Sequence, residues 1–133
     1  MNEPETIRAM LGKGTIAVVG LSDDPNKPSY YVSAYMQQHG YRILPINPSL
    51  ESVLGERCYV SLAELPAKPD VVNVFRLANF VPAIVEEMVD LGLQNLWVQK
   101  GIVNIEAANR AEAAGIRVVM DRCIMVEHRR ANV

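Results

Sequence analysis

The sequence predicts an α/β domain, a mainly parallel five-stranded sheet in three layers with helices on both faces. Three observations carry this reading. Short β-branched runs occur at Thr15–Val19, Tyr41–Ile46, Val71–Phe75, Asn95–Val98 and Ile116–Met120. Each is too short for a helix and mostly lacks polar alternation, as in strands buried on both sides. Their starts lie 26, 30, 24 and 21 residues apart, room for one crossover helix each time. Alternation at that spacing implies parallel pairing with right-handed crossovers.

The elements between the runs are marked separately. A short helix is expected around Thr6–Leu11, ahead of the first strand. Pro28 presets an early helical φ for Ser29–His39; Gly40 suits the left-handed position that ends it, and His39 suits the C-terminal cap. A short turn is expected at Ser61–Leu65. Val81–Leu91 has Pro82 near its start and Gly92 after its end. Within it Ile84, Val85, Met88 and Leu91 form an apolar stripe, and Glu86, Glu87 and Asp90 a wet side. Asn104 is placed to cap a helix over Ile105–Ala114, with Gly115 as its stop. Trp97 is expected in the core.

With 133 residues, 50% hydrophobic and 21% charged, the chain reads as a single domain over 1–133 able to bury its own core. Thirteen Lys and Arg against fifteen Asp and Glu give a net charge of −2. That excludes function through a generally basic surface, such as non-specific nucleic-acid wrapping, and leaves room for a local anion pocket. No apolar run approaches the roughly 20 residues of a membrane span, and Met1–Leu11 has no signal-peptide core. Two cysteines, Cys58 and Cys123, without a CxxC, and two histidines speak against a zinc site or a disulfide framework. The expected compartment is the cytoplasm.

In an open parallel sheet, ligands sit beyond the carboxyl ends of the strands, where strand order reverses. The loops that matter are therefore Gly20–Lys27, Asn47–Gly55, Arg76–Asn79 and Gln99–Asn104. Gly20 directly follows the first run, and the helix opening at Pro28 offers unpaired N–H groups to an anion, with Lys27 beside them. The G-x-G-x-x-G fingerprint is broken, however: Ser22 and Pro25 stand where its second and third glycines would be. Taken alone, Gly20 fits a tight strand–helix turn equally well. The second run ends Leu44-Pro45-Ile46-Asn47-Pro48 with no carboxylate before Glu51, so the group that holds a nicotinamide dinucleotide's ribose is missing. Pro48 could flank a flat adenine, or Pro45 and Pro48 could simply terminate the strand. Arg76 is placed for a phosphate fork, or for a solvated pair with Asp23 or Asp24.

Together these stretches resemble the CoA-binding domain family, the small single-domain group related to the CoA-binding N-terminal domain of the succinyl-CoA synthetase alpha subunit. The matching segments are Val19-Gly20-Leu21-Ser22 with Pro25 and Lys27-Pro28-Ser29, Leu44-Pro45-Ile46-Asn47-Pro48, Val74-Phe75-Arg76, Trp97-Val98-Gln99-Lys100-Gly101 and Asp121-Arg122-Cys123. The resemblance runs over nearly the whole chain, in order. It implies a Rossmann-like fold with coenzyme A or an acyl-CoA as ligand. It implies phosphate and adenosine contacts from the Gly20-Leu21-Ser22 turn and Lys27. Asn47 and Pro48 would lie beside the nucleotide, and Phe75, Arg76, Gln99 and Gly101 along the cleft. The synthetases carry their phosphorylated histidine in a further domain, so this chain looks like the binding half, a non-catalytic carrier or metabolite sensor. A homodimer, or a partner protein supplying a catalytic domain, stays open.

Two alternatives remain. One is an enzyme using CoA with Cys123 in acyl-transfer or thiol chemistry, where Arg122 would favour a thiolate and His128 would serve as base. The bland counterpart is Cys123 as a small buried hydrophobe continuing into Ile124-Met125-Val126. The other is an NAD(P)-type domain, which the missing acidic residue disfavours.

Overall fold

The computed structural model describes residues 1–131. In chain order it contains α1 (Pro4–Leu11), β1 (Thr15–Val19), α2 (Pro28–Gln38) and β2 (Arg42–Ile46). A small ribbon follows, β3 (Ser52–Val53) with β4 (Glu56–Arg57), then a 3₁₀ turn at Leu62–Glu64 and β5 (Val71–Val74). A second 3₁₀ turn at Ala78–Phe80 leads into α3 (Val81–Leu91), β6 (Asn95–Val98), α4 (Ile105–Ala113), β7 (Arg117–Met120) and α5 (Ile124–Ala131). The five long strands pair parallel in the order β2-β1-β5-β6-β7. The expected α/β sheet with crossover helices is what forms.

Alternation along each strand divides the core in two, because successive side chains leave opposite faces. Ala17, Val19, Val72, Val74, Leu96, Val98, Val118 and Met120 face α3 and α4, where Val85, Met88, Ala108 and Ala111 close the layer. Ile16, Val18, Ile43, Val71, Trp97 and Val119 face the other way, against Met10 of α1, Val32 and Met36 of α2 and Ile124 of α5. Trp97 is fully buried and its indole N–H donates to the Arg122 carbonyl at 2.9 Å. The ring thus pins the turn between β7 and α5.

Helix ends follow their local chemistry. Asn104 Oδ1 accepts from the Ala107 N–H at 3.0 Å, and Gly92 ends α3 at φ 71°. Tyr41, Phe75 and Ile116 fall just outside the ladders expected to hold them. Pro45 does not terminate β2: it is buried within it, in register with Val18. The sheet tolerates it there because β2 is an edge strand, where a missing N–H breaks no interior ladder. The ribbon β3–β4 and the helix α5 are additions to the sequence expectation. Among the described residues no helix is long and apolar enough to cross a membrane.

Four rings join α5 to α2. The Tyr35 hydroxyl and His128 Nδ1 pair at 2.8 Å. The His39 ring lies 4.0 Å from that of Tyr35 and 5.0 Å from that of His128, and Tyr41 stands edge-on to His128 at 5.7 Å. Arg129 reaches over the Tyr35 ring. Burial, and secondarily the neighbouring His39, push the His128 imidazole below its ordinary value of 6.5. The folded state therefore binds fewer protons than the unfolded chain below that value, so His128's share of stability is present above about pH 6.5 and is lost as pH falls towards its folded value. Urea unfolding at pH 7.5 and 5.5 is expected to show lower stability in acid. His128→Phe should flatten that dependence, and an unchanged slope in the variant would assign it to other groups.

Candidate functional site

The site follows from the strand order. From β1 the chain crosses to α2 on one face; from the adjacent β5 it crosses to α3 on the other. Neighbouring strands whose connections part in this way leave a crevice at their carboxyl ends. Here it is a cleft of about 710 Å³. Its lining comes from the β1–α2 turn (Gly20, Ser22, Lys27, Pro28, Ser29), from α2 (Tyr31, Val32), from the ends of β5 and β6 (Phe75, Gln99, Lys100, Ile102) and from α5 with its lead-in (Cys123, Met125, Val126).

The β1–α2 turn is held from within. The Ser22 N–H donates to Ser29 Oγ at 2.9 Å, Ser22 Oγ accepts from the Asp24 N–H, and Asp24 Oδ1 accepts from the Asn26 N–H. Asp24 is thus a turn residue. Lys27 occupies the N-cap position of α2 with no capping hydrogen bond from its side chain, which leaves an exposed ammonium beside a helix N-terminus. Full charge and helix dipole both favour an anion there.

Of the two readings of Gly20, the structure shows the tight turn, with a close approach by the protein's own chain. The φ of Gly20 is 88°, and a Cβ would lie 2.9 Å from the Phe75 carbonyl oxygen and from Arg76 Cδ. The missing side chain makes room for the protein's own β5 exit before any ligand arrives. Arg76 is also not solvated in a pair with Asp23 or Asp24: its guanidinium lies 4.0 Å over the Phe80 ring. It lines a separate hollow of about 230 Å³ with Pro48, Val60, Phe80 and Glu87 on the α3 side of the sheet edge.

The remaining loops are tied to one another. Asn47 Nδ2 donates to the Leu21 carbonyl at 3.0 Å while its Oδ1 accepts from the Ser49 N–H at 2.9 Å, so the exits of β1 and β2 are clamped together. Gln99 is almost fully buried, and its Nε2 donates to Asn73 Oδ1 at 2.8 Å. The Gly101 N–H donates to Asp121 Oδ1 at 2.7 Å, with Asp121 at φ 61°, which joins the loops after β6 and β7.

A sequence model of the CoA binding domain matches residues 14–129. The chain belongs to this family. It is 43% identical over 113 residues to the uncharacterized protein YneT of Bacillus subtilis, covering 85% of this chain and 84% of that one. The ADP-forming acetate–CoA ligase II subunit alpha of Pyrococcus furiosus is 27% identical over 134 residues, with 89% of this chain but 28% of the ligase subunit covered. The chain thus spans little more than a quarter of that relative. A solved Thermus thermophilus protein superposes with a TM-score of 0.90 at 40% identity, covering 98% of each chain.

Of the residues singled out by the family resemblance, Gly20, Ser22, Lys27, Phe75 and Gln99 line the large cleft. Pro48 and Arg76 line the smaller hollow, and Asn47 clamps the loops. The Leu21 side chain is fully buried against α2 and α5, so within its turn only its backbone faces outward. Gly101 is exposed, its N–H engaged by Asp121. Tyr31, Val32, Ile102, Met125 and Val126 were not expected at the site. Tyr31 and Val32 lie in the expected helix, and Ile102 in a loop expected to matter for function. The signal for Met125 and Val126 was helical spacing in 124–131, hidden because that helix follows the last strand almost at once.

Cys123 does line the cleft, but the neighbours that would activate it are committed elsewhere. The Arg122 guanidinium reaches Glu127 at 3.9 Å and the Asp121 carbonyl at 3.2 Å, and His128 Nδ1 is paired with Tyr35.

Two glycines separate open space from crowding. Gly40 also has positive φ (93°), yet a Cβ there meets nothing within 4 Å. Gly40→Ala should cost about 1 kcal/mol, the left-handed backbone penalty. Gly20→Ala should cost about 2 kcal/mol or more, since overpacking is added to that penalty. Denaturant titration of both variants checks the order, and equal costs would mean that the Phe75 carbonyl yields freely.

Proposed function

We propose that this domain binds coenzyme A or an acyl-CoA in the large cleft as a non-catalytic module, a carrier or metabolite sensor. The observation that carries the reading is the uncapped N-terminus of α2 with Lys27, opening onto a cleft where the strand order reverses. An anion site at the edge of a cleft of this size suits a ligand whose diphosphate is anchored while the rest lies in the cleft. Membership of the CoA-binding domain family supports the choice of ligand. So does the exit of β2, where an asparagine amide already engaged by two backbone groups stands in place of a ribose-holding carboxylate. Binding without turnover is favoured by the contacts of Arg122 with Glu127 and of His128 with Tyr35, which turn both of the groups proposed to activate Cys123 to other partners.

The ligase relatives motivate a second role that shares the same site. This chain matches a minor part of the acetate–CoA ligase subunit's length, so a partner protein carrying a reactive domain could use the bound CoA. Gel filtration of a cell extract in which the tagged chain is followed would separate the two roles. A lone chain or a homodimer fits the carrier, whereas a heteromeric complex fits the ligase-like arrangement.

Coenzyme A should raise the melting temperature more than NAD or NADP at equal concentration, because a ligand that binds only the native state stabilises it by mass action. Equal shifts for all three, or no shift with CoA, would remove the CoA reading. Lys27→Ala should weaken CoA binding by about 1–3 kcal/mol, the range of a charge-assisted hydrogen bond, with little change in melting temperature, since the side chain is exposed. Arg76→Ala is expected instead to cost stability, through loss of its packing on Phe80. Calorimetric titration alongside thermal melts distinguishes these outcomes.

A further inference from the structure

The cleft is chemically uneven. Its β1–α2 end is polar, with Ser22, Ser29 and the Lys27 ammonium. Where α5 packs beside α2, the lining turns apolar: Val32 from α2, and Met125 and Val126 from α5, with Ile102 from the β6 exit, where Lys100 adds a charge at the exposed rim. Val32 is almost fully buried, whereas Ile102, Met125 and Val126 are only half-buried, so they leave apolar surface unfilled. Gln99, with its amide anchored on Asn73, stands at the boundary.

This arrangement says what the apolar side is for, given the CoA reading above, on which the inference rests. A diphosphate anchored at Lys27 leaves the pantetheine arm to run along the cleft and bring its sulfur to the apolar seam between α2 and α5. A free thiol there would leave the Ile102, Met125 and Val126 surfaces in contact with water. An unbranched hydrocarbon attached to that sulfur would cover them, and methionine, flexible and polarizable, adapts to chains of differing length. We propose that the physiological ligand is an acyl thioester with an apolar acyl chain, lodged between Val32, Ile102, Met125 and Val126.

The test is calorimetric titration of the full chain with CoA and with acetyl-, butyryl- and hexanoyl-CoA. Affinity is expected to rise two- to fourfold for each methylene added until the apolar side is filled, as burial of hydrocarbon requires. Met125→Gln and Ile102→Asn should flatten the rise with chain length, with circular dichroism confirming that both variants fold; the slope is the readout. Equal affinity across the acyl series overturns the proposal and leaves the CoA reading intact. A rise that both variants preserve also overturns it, since the chain would then lie elsewhere. Failure of every CoA species to bind would instead sink the CoA reading itself.

Discussion

Adjacent parallel strands whose crossovers depart to opposite faces cannot close over their shared carboxyl end, and in this domain β1 and β5 are that pair. β1 feeds α2 on the face that buries Trp97, while β5 feeds α3 on the face that buries Val85 and Met88. The cleft is therefore a consequence of connectivity, and it exists before any side chain is chosen to fill it. What the side chains must do is keep it open without loosening the sheet. Gly20 does this where crowding is greatest, by letting the Phe75 carbonyl and the Arg76 stem pass at distances no Cβ would allow. Asn47 and Asp121 do it at the two flanks, each tying one loop to its neighbour with a short polar contact. The floor is rigid because every strand beneath it is buried on both faces.

That rigidity explains why so much of the fold was legible in the sequence. Strands shielded on both sides are mostly apolar, with buried polar side chains such as Asn73 and Asn95 hydrogen-bonded. They therefore stand out as largely unalternating runs, and their spacing then leaves little besides a parallel sheet. Elements whose stability comes from tertiary contacts were harder to see. The ribbon β3–β4 is two residues a side and turns at Leu54 and Gly55, both at positive φ; a leucine in that conformation carries no turn signal. Helix α5 begins so soon after β7 that Ile124-Met125-Val126 reads as a continuation of the strand's apolar run.

The site divided along the same line. Residues placed by the backbone, such as Gly20, Ser22, Lys27, Phe75 and Gln99, reach the cleft as the sequence suggested. Residues whose direction depends on a partner did not behave as their type implied. Arginine after a strand reads as a phosphate fork, yet Arg76 lies over Phe80, a ring carried by a short 3₁₀ turn that local pattern does not announce. Leu21 sits in the turn between β1 and α2, yet its side chain is drawn into the core, where it packs with residues of α2 and α5.

Helix α5 connects the core to the cleft. Eight residues are too few for a helix to hold itself together in water, so its order depends on what it touches. Ile124 is seated in the core, the turn before it is pinned by the Trp97 indole, and His128 is locked into the ring group with Tyr35, His39 and Tyr41. The side chains between those anchors, Met125 and Val126, are the ones that wall the cleft. Anything that loosens the anchors must therefore loosen the wall, and anything that fills the cleft against Met125 and Val126 must hold α5 in place. Ligand affinity and the local stability of the last helix are in this way two readings of one packing arrangement. Linkage then requires each to strengthen with the other.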